Sequence, residues 1–184
     1  MIEQELLENP SPWMNNLAVE YYESMMRPNM KILEFGSGYS TIWLNKFEPE
    51  CVVSLESNKD WFDALLPYCP TVDLRYIEDY PLNLNPEWEP FDLIVIDGIN
   101  RLKCLYWVIE NDMLADGGTI IYDDMHRKWL WKNSSDDYQD AWETLEDEDF
   151  EMVMVPPNPI WERDTLNRTS EHDITLFAHK VMLK

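Results

Sequence analysis

The chain alternates between short continuous apolar runs and longer stretches in which apolar residues recur every three or four positions. Runs of the first kind suit strands buried on both faces, and stretches of the second kind suit amphipathic helices. The pattern predicts a helix over residues 13–26, with Leu17, Val19, Tyr21 and Tyr22 among polar residues and a stop at Arg27-Pro28. A first strand opens with Lys31–Leu33, a second is CVVSLES from Cys51, a third is VDLRYI at 72–77, and a fourth is FDLIVID at 91–97. Helices are expected between them, one after Asn58 as its cap and one over Arg101–Leu114. Gly117-Gly118 reads as a turn feeding a fifth strand that ends at Asp123-Asp124.

The remainder differs in kind. Residues 135–146 place Tyr138, Ala141, Trp142 and Leu145 at helical spacing with acids on the opposite face, which predicts a cover helix. Phe150–Val155 and Asp173–His179 read as two strands joined by a long polar loop. Strand and helix alternate five times before this tail, the pattern of an open α/β sheet. At 184 residues the chain is expected to be a single domain, 1–184, with residues 1–29 as an N-terminal helical segment.

The sharpest chemical signal is KILEFGSGYSTIWL, residues 31–44. It is a strand, a tight turn through Gly36, Ser37 and Gly38, and a helix start that Ser40 or Thr41 can cap. Two glycines there let a ligand approach the main chain, and the first N–H groups of the helix face the turn. A dinucleotide fingerprint would carry a third glycine at position 41, where this chain has Thr41. Glu34 precedes the first glycine by two residues, and Glu56 ends the second strand eighteen residues after Gly38.

This segment resembles motif I of the class I S-adenosylmethionine-dependent methyltransferases. The resemblance implies a Rossmann-like doubly wound seven-stranded sheet, mostly parallel with an antiparallel C-terminal strand, and S-adenosylmethionine as cofactor. It also implies that Glu34 lies near the methionine end of the cofactor and that Glu56 accepts the ribose hydroxyls. Adenine would meet Ser57 and a polar residue after the third strand, with Glu78, Asp79 and Tyr80 as candidates. Asp97, at the end of the fourth strand, would complete the pocket.

Asp97, Asp123 and Asp124 stand at strand C-termini, where open α/β sheets place reactive groups. They are similar to the magnesium ligands of metal-dependent small-molecule O-methyltransferases, but the lysine base of that family is replaced by Asn100. They are therefore read as substrate-facing acids and no metal is expected. Asp97 and Asp123 are catalytic candidates, together with His126, an imidazole suited to general base work near neutral pH. Arg101 and Arg127 flank the same strand ends. A guanidinium fork there points to an acidic substrate, or else to pairing with the neighbouring aspartates.

Charge narrows the partners. Fourteen basic residues against 36 acidic ones give a net charge of -22 and a pI near 4.2, a field that repels polyphosphate and argues against nucleic acid. Cys51, Cys69 and Cys104 lack metal-like spacing and read as reduced thiols. There is no basic start followed by an apolar core at the N-terminus and no run of eighteen apolar residues, so a cytoplasmic protein without membrane partners is expected. Trp129, Trp131 and Trp161 fall in loops that can rim a pocket. The expected function is methyl transfer to a small-molecule acceptor, with two alternatives: another enzyme of the same fold such as an aminopropyltransferase, or a non-catalytic cofactor-binding domain.

Overall fold

The structure, a computed structural model, describes residues 7, 9–81, 84, 87–125, 138–155 and 175–181. In chain order its elements are α1 (Asn16–Met25), β1 (Lys31–Phe35), α2 (Tyr39–Leu44), β2 (Cys51–Glu56), α3 (Lys59–Leu65), β3 (Asp73–Tyr76), β4 (Phe91–Ile96), α4 (Arg101–Glu110), β5 (Leu114–Tyr122), α5 (Tyr138–Asp147), β6 (Glu151–Val155) and β7 (Thr175–His179). The strands form one sheet in the order β3-β2-β1-β4-β5-β7-β6. The first five run parallel, and β7 is antiparallel to both β5 and β6. This is the predicted mostly parallel, seven-stranded doubly wound sheet.

The register explains the continuous apolar runs. Successive side chains of a strand point to opposite faces, and here each face carries its own core. Leu33, Phe35, Ile94, Ile96 and Ile120 pack with Leu105 and Val108 of α4 and Leu145 of α5. Ile32, Leu93, Val95 and Ile121 pack on the other side with Ala18 and Tyr22 of α1 and Trp43 of α2. Each such aliphatic side chain contributes about 1.5–3 kcal/mol through burial.

Phe35 pairs with Leu55 on one side and Ile96 on the other, so β1, β2 and β4 end level with each other. Their exit loops therefore lie side by side. The chain turns away from β1 in both directions, toward β2 and β3 on one hand and β4 and β5 on the other, which opens a crevice at the strand C-termini.

Three boundaries differ from the sequence expectation. The first helix starts at Asn16 because the Asn15 side chain accepts from the Ala18 amide at 2.9 Å, leaving Trp13 and Met14 outside it. Helix α4 ends at Glu110, and Leu114 already belongs to β5. Gly117-Gly118 lies inside β5 as an irregularity: the register slips from Phe91↔Leu114 to Leu93↔Thr119, Gly117 has φ 72, and a Cβ on Gly118 would come within 2.8 Å of the Ala115 carbonyl oxygen. Three extra residues are taken up in β5 here, since two steps along β4 face five along β5, and the two glycines supply the positive φ and the missing Cβ that the insertion uses. All three cysteines are free, and no described helix is long and apolar enough to cross a membrane.

Candidate active site

The turn after β1 is shaped by close backbone approach. Gly36 has φ 98, and a Cβ there would lie 2.6 Å from both the N and the Cα of Gly98, in the loop after β4. A Cβ on Gly98 would in turn sit 1.9 Å from the Tyr80 hydroxyl. Gly38 is different in kind: its φ is -166 and an added Cβ would meet nothing nearer than Ser40 Oγ at 3.8 Å. The chain's own packing leaves that face of the turn open.

Beneath the turn, Glu34 is wholly buried. Its carboxylate accepts from Ser40 Oγ and Thr41 Oγ1, each at 2.5 Å, and from Ser54 Oγ at 2.6 Å. Thr41 Oγ1 also accepts from the Gly38 amide at 2.8 Å. Ser54 lies 2.7 Å from Ser37 Oγ. An ionised carboxylate only accepts, so the Ser54 proton is committed to Glu34 and Ser37 is the donor to Ser54. Burial pushes the Glu34 carboxyl up, and the three hydroxyls pull it back.

Glu56 ends β2 above this network. The Asn58 amide donates to Glu56 Oε1 at 2.6 Å, and the Ser57 and Ser37 amides also point at the carboxylate, opposing the upward shift that burial imposes on it. Ser37 is held a third way, since the indole N–H of Trp61 donates to its carbonyl at 2.7 Å. Trp61 packs edge-on against Tyr39, and Tyr39 packs at a tilt against Trp13, so a row of aromatic rings borders the turn.

On the other side of the crevice, Arg101 is buried among three carboxylates. Its guanidinium lies 3.0 Å from Asp97 Oδ1 and 3.0 Å from Asp124 Oδ2, and donates to the carbonyls of Gly98, Asp123 and Asp97 at 3.0, 2.7 and 3.2 Å. Burial works against its charge, and the carboxylates of Asp97, Asp124 and Asp123 more than offset it. Asp123 is buried too and accepts from Thr175 Oγ1 at 2.6 Å. Burial drives the Asp123 carboxyl well up, and Asp97 is pushed up to about 6 by burial, with Arg101 opposing. One carboxylate oxygen from each of Asp97, Asp123 and Asp124 lies within 4.8 Å of the others, and the Arg101 guanidinium pairs with two of the three carboxylates, those of Asp97 and Asp124.

The fold recurs in solved structures of methyltransferases. A precorrin-6y C5,15-methyltransferase from Geobacter metallireducens matches with TM-score 0.64 and 15% identity over 98% of this chain and 90% of that one. An O-methyltransferase from Bacillus cereus, solved in complex with SAH, matches with TM-score 0.59 and 18% identity over 98% and 93%. The O-methyltransferase TomG from Streptomyces achromogenes, involved in tomaymycin synthesis and solved with SAM, matches with TM-score 0.57 and 17% identity over 82% and 73%. The fold is that of the class I methyltransferases. No protein-family model and no curated relative matches the sequence.

Within this methyltransferase fold the predicted site residues separate into two sets. Gly36, Ser37, Gly38, Glu56, Ser57 and Asp97 meet at the level strand ends, and Asp79 lies nearby with Oδ1 accepting from Asn100 Nδ2 at 3.0 Å. Glu34, Ser40, Thr41 and Asp123 were expected to face cofactor or substrate, but their polar atoms are buried and bonded inside the protein. Tyr80 is internal as well: it is 1% exposed, packs against Phe35, and its hydroxyl accepts from the Ile99 amide at 3.3 Å. Arg101 spends its donors on strand ends, which removes its argument for an acidic substrate and fills the acid cluster that a diamine would need. His126, Arg127, Trp129, Trp131 and Trp161 lie outside the described residues. Ser54 and Trp61 were not singled out from sequence as parts of the site, because nothing local marks a mid-strand serine or a helix tryptophan as a partner of a turn.

Proposed function

We propose that this chain is an S-adenosylmethionine-dependent methyltransferase whose acceptor is a small molecule. The observation that carries the reading is the pairing of Glu56 with the open face of Gly38 across Ser37, whose amide points at the Glu56 carboxylate. A carboxylate so placed accepts a ribose diol, and the open glycine admits the rest of the ligand against the main chain. Residues 34–41 contain no lysine or arginine, so the turn suits a cationic sulfonium ligand rather than a pyrophosphate. Gly36, Ser37 and Gly38 would line the cofactor, Glu56 would hold its ribose, and Ser57 and Asp79 would flank the base.

The cofactor, when bound, supplies an electrophilic methyl group. The chain's contribution is alignment of the acceptor with that methyl and exclusion of water. Asp97, half-buried at the end of β4 and raised to about 6 by burial, is the proposed acceptor of the nucleophile's proton. Asp123 stands behind it as a buried support. The net charge of -22 supports a small acceptor over nucleic acid. Calorimetric titration with S-adenosylmethionine, S-adenosylhomocysteine and NAD tests the reading: the first two bind, NAD binds far more weakly, and tighter NAD binding overturns it.

A further inference from the structure

We propose that Ser54 and Trp61 are positioning residues of the cofactor turn, clamping Ser37 from two sides so that its amide stays aimed at the Glu56 carboxylate; this rests on the reading that the turn binds S-adenosylmethionine. Ser54 pairs in register with Glu34 on adjacent parallel strands, which puts both side chains on one face of the sheet directly under the turn. From there Ser54 accepts from Ser37 Oγ at 2.7 Å while donating to Glu34 at 2.6 Å. Trp61 reaches the same residue from α3, at the carbonyl, at 2.7 Å. The carbonyl lies in the peptide that follows the Ser37 Cα and the amide in the one that precedes it, so holding the carbonyl and the hydroxyl anchors that Cα and, through it, the amide that meets Glu56.

The two clamps differ in what lies behind them. Trp61 ends at the turn, whereas Ser54 continues to Glu34, whose carboxyl is pushed up by burial and pulled back by its three hydroxyl donors. The titratable groups that Glu34 faces are Glu56 at the end of β2, Asp97 at the end of β4, Tyr22 on α1 and Cys69 beyond α3. Removing the Ser54 hydroxyl takes one of three donors from Glu34, so Glu34 takes up a proton at higher pH. Removing the Trp61 indole N–H leaves Glu34 with all three.

The test is calorimetric titration of S-adenosylhomocysteine into wild type, Ser54→Ala and Trp61→Phe between pH 5.5 and 8.5, with hydrogen exchange of residues 36–41 on the same samples. Both variants are expected to bind roughly 3- to 10-fold more weakly at pH 8, the loss of one hydrogen bond's worth of positioning. In Ser54→Ala the fall of affinity at the acid end moves to higher pH, and in Trp61→Phe it stays where wild type has it. Affinity within twofold of wild type in both variants, or an acid limb unmoved by Ser54→Ala, overturns the proposal. If wild type itself takes up no S-adenosylhomocysteine, the functional reading falls and the clamp is judged by exchange alone: faster exchange of the turn in both variants upholds it, and unchanged exchange overturns it.

Discussion

Gly36 and Gly98 meet backbone to backbone, with no room for a methyl group between the loops that leave β1 and β4. The contact fixes the crevice at its floor, because both loops start from strand ends that are level in the sheet. It also separates the two glycines of the turn by function. Gly36→Ala must adopt a φ of 98 and displace Gly98. It is expected to cost about 2–5 kcal/mol of stability, from backbone strain and overpacking together. Gly38→Ala meets neither obstacle, so it should unfold within about 0.5–1 kcal/mol of wild type while losing cofactor affinity. Urea unfolding and titration on the two variants decide this, and equal destabilisation would contradict it.

Glu56→Ala removes charged hydrogen bonds to the ribose worth about 1.5–3 kcal/mol, or roughly a 10- to 150-fold loss of S-adenosylhomocysteine affinity. The fold should survive, since the carboxylate sits at a strand end and its partners are loop amides that water can reach once it is gone. Titration with a far-ultraviolet circular dichroism control checks both parts.

Arg101→Leu leaves Asp97, Asp123 and Asp124 without the guanidinium that lies among them. Breaking a buried ion pair in this way is expected to cost about 3–5 kcal/mol. The loss should appear in denaturant unfolding without any ligand present. A variant as stable as wild type but unable to turn over substrate would instead place Arg101 on the substrate.

The pH dependence of stability carries a sign. The folded value of Asp97, about 6, lies above the unfolded value of about 3.9, and Asp123 is raised as well. Folding therefore takes up protons between these values. The stabilising contribution is complete below about pH 4 and is lost as pH rises through about 6. Asp123→Asn keeps an oxygen for Thr175 and removes one of the like charges. Its stability relative to wild type should grow from pH 4.5 to pH 7.5, measured by urea unfolding at each pH, whereas a constant difference would remove Asp123 from the titrating set.

Magnesium should leave the melting temperature of the cofactor-loaded protein unchanged, because a guanidinium already lies among the three acids. A ligand that binds only the folded state raises that temperature by mass action. A magnesium-specific rise that disappears in Asp123→Asn would show a cation competing with Arg101.

The sequence by itself determined the alternation of strand and helix, the glycine turn after β1 and the acid at the end of β2. These follow from local rules: apolar continuity marks strands covered on both faces, and glycine marks a turn. Which side of the turn each polar residue serves was decided only in three dimensions. Glu34 and Ser54 are twenty residues apart and become neighbours through the β1–β2 register, which turns an expected cofactor ligand into a buried support. Arg101 reads from its place after a strand as either a substrate fork or a partner of the neighbouring aspartates, and the loop after β4 decides it by folding the side chain back over three carbonyls and two carboxylates. The need for glycine at 98 comes from Gly36 and Tyr80, residues of two other loops. Spacing along a chain specifies elements, but the direction of a side chain at the end of a strand depends on what the adjacent strands bring to that same level, and only the assembled sheet supplies it.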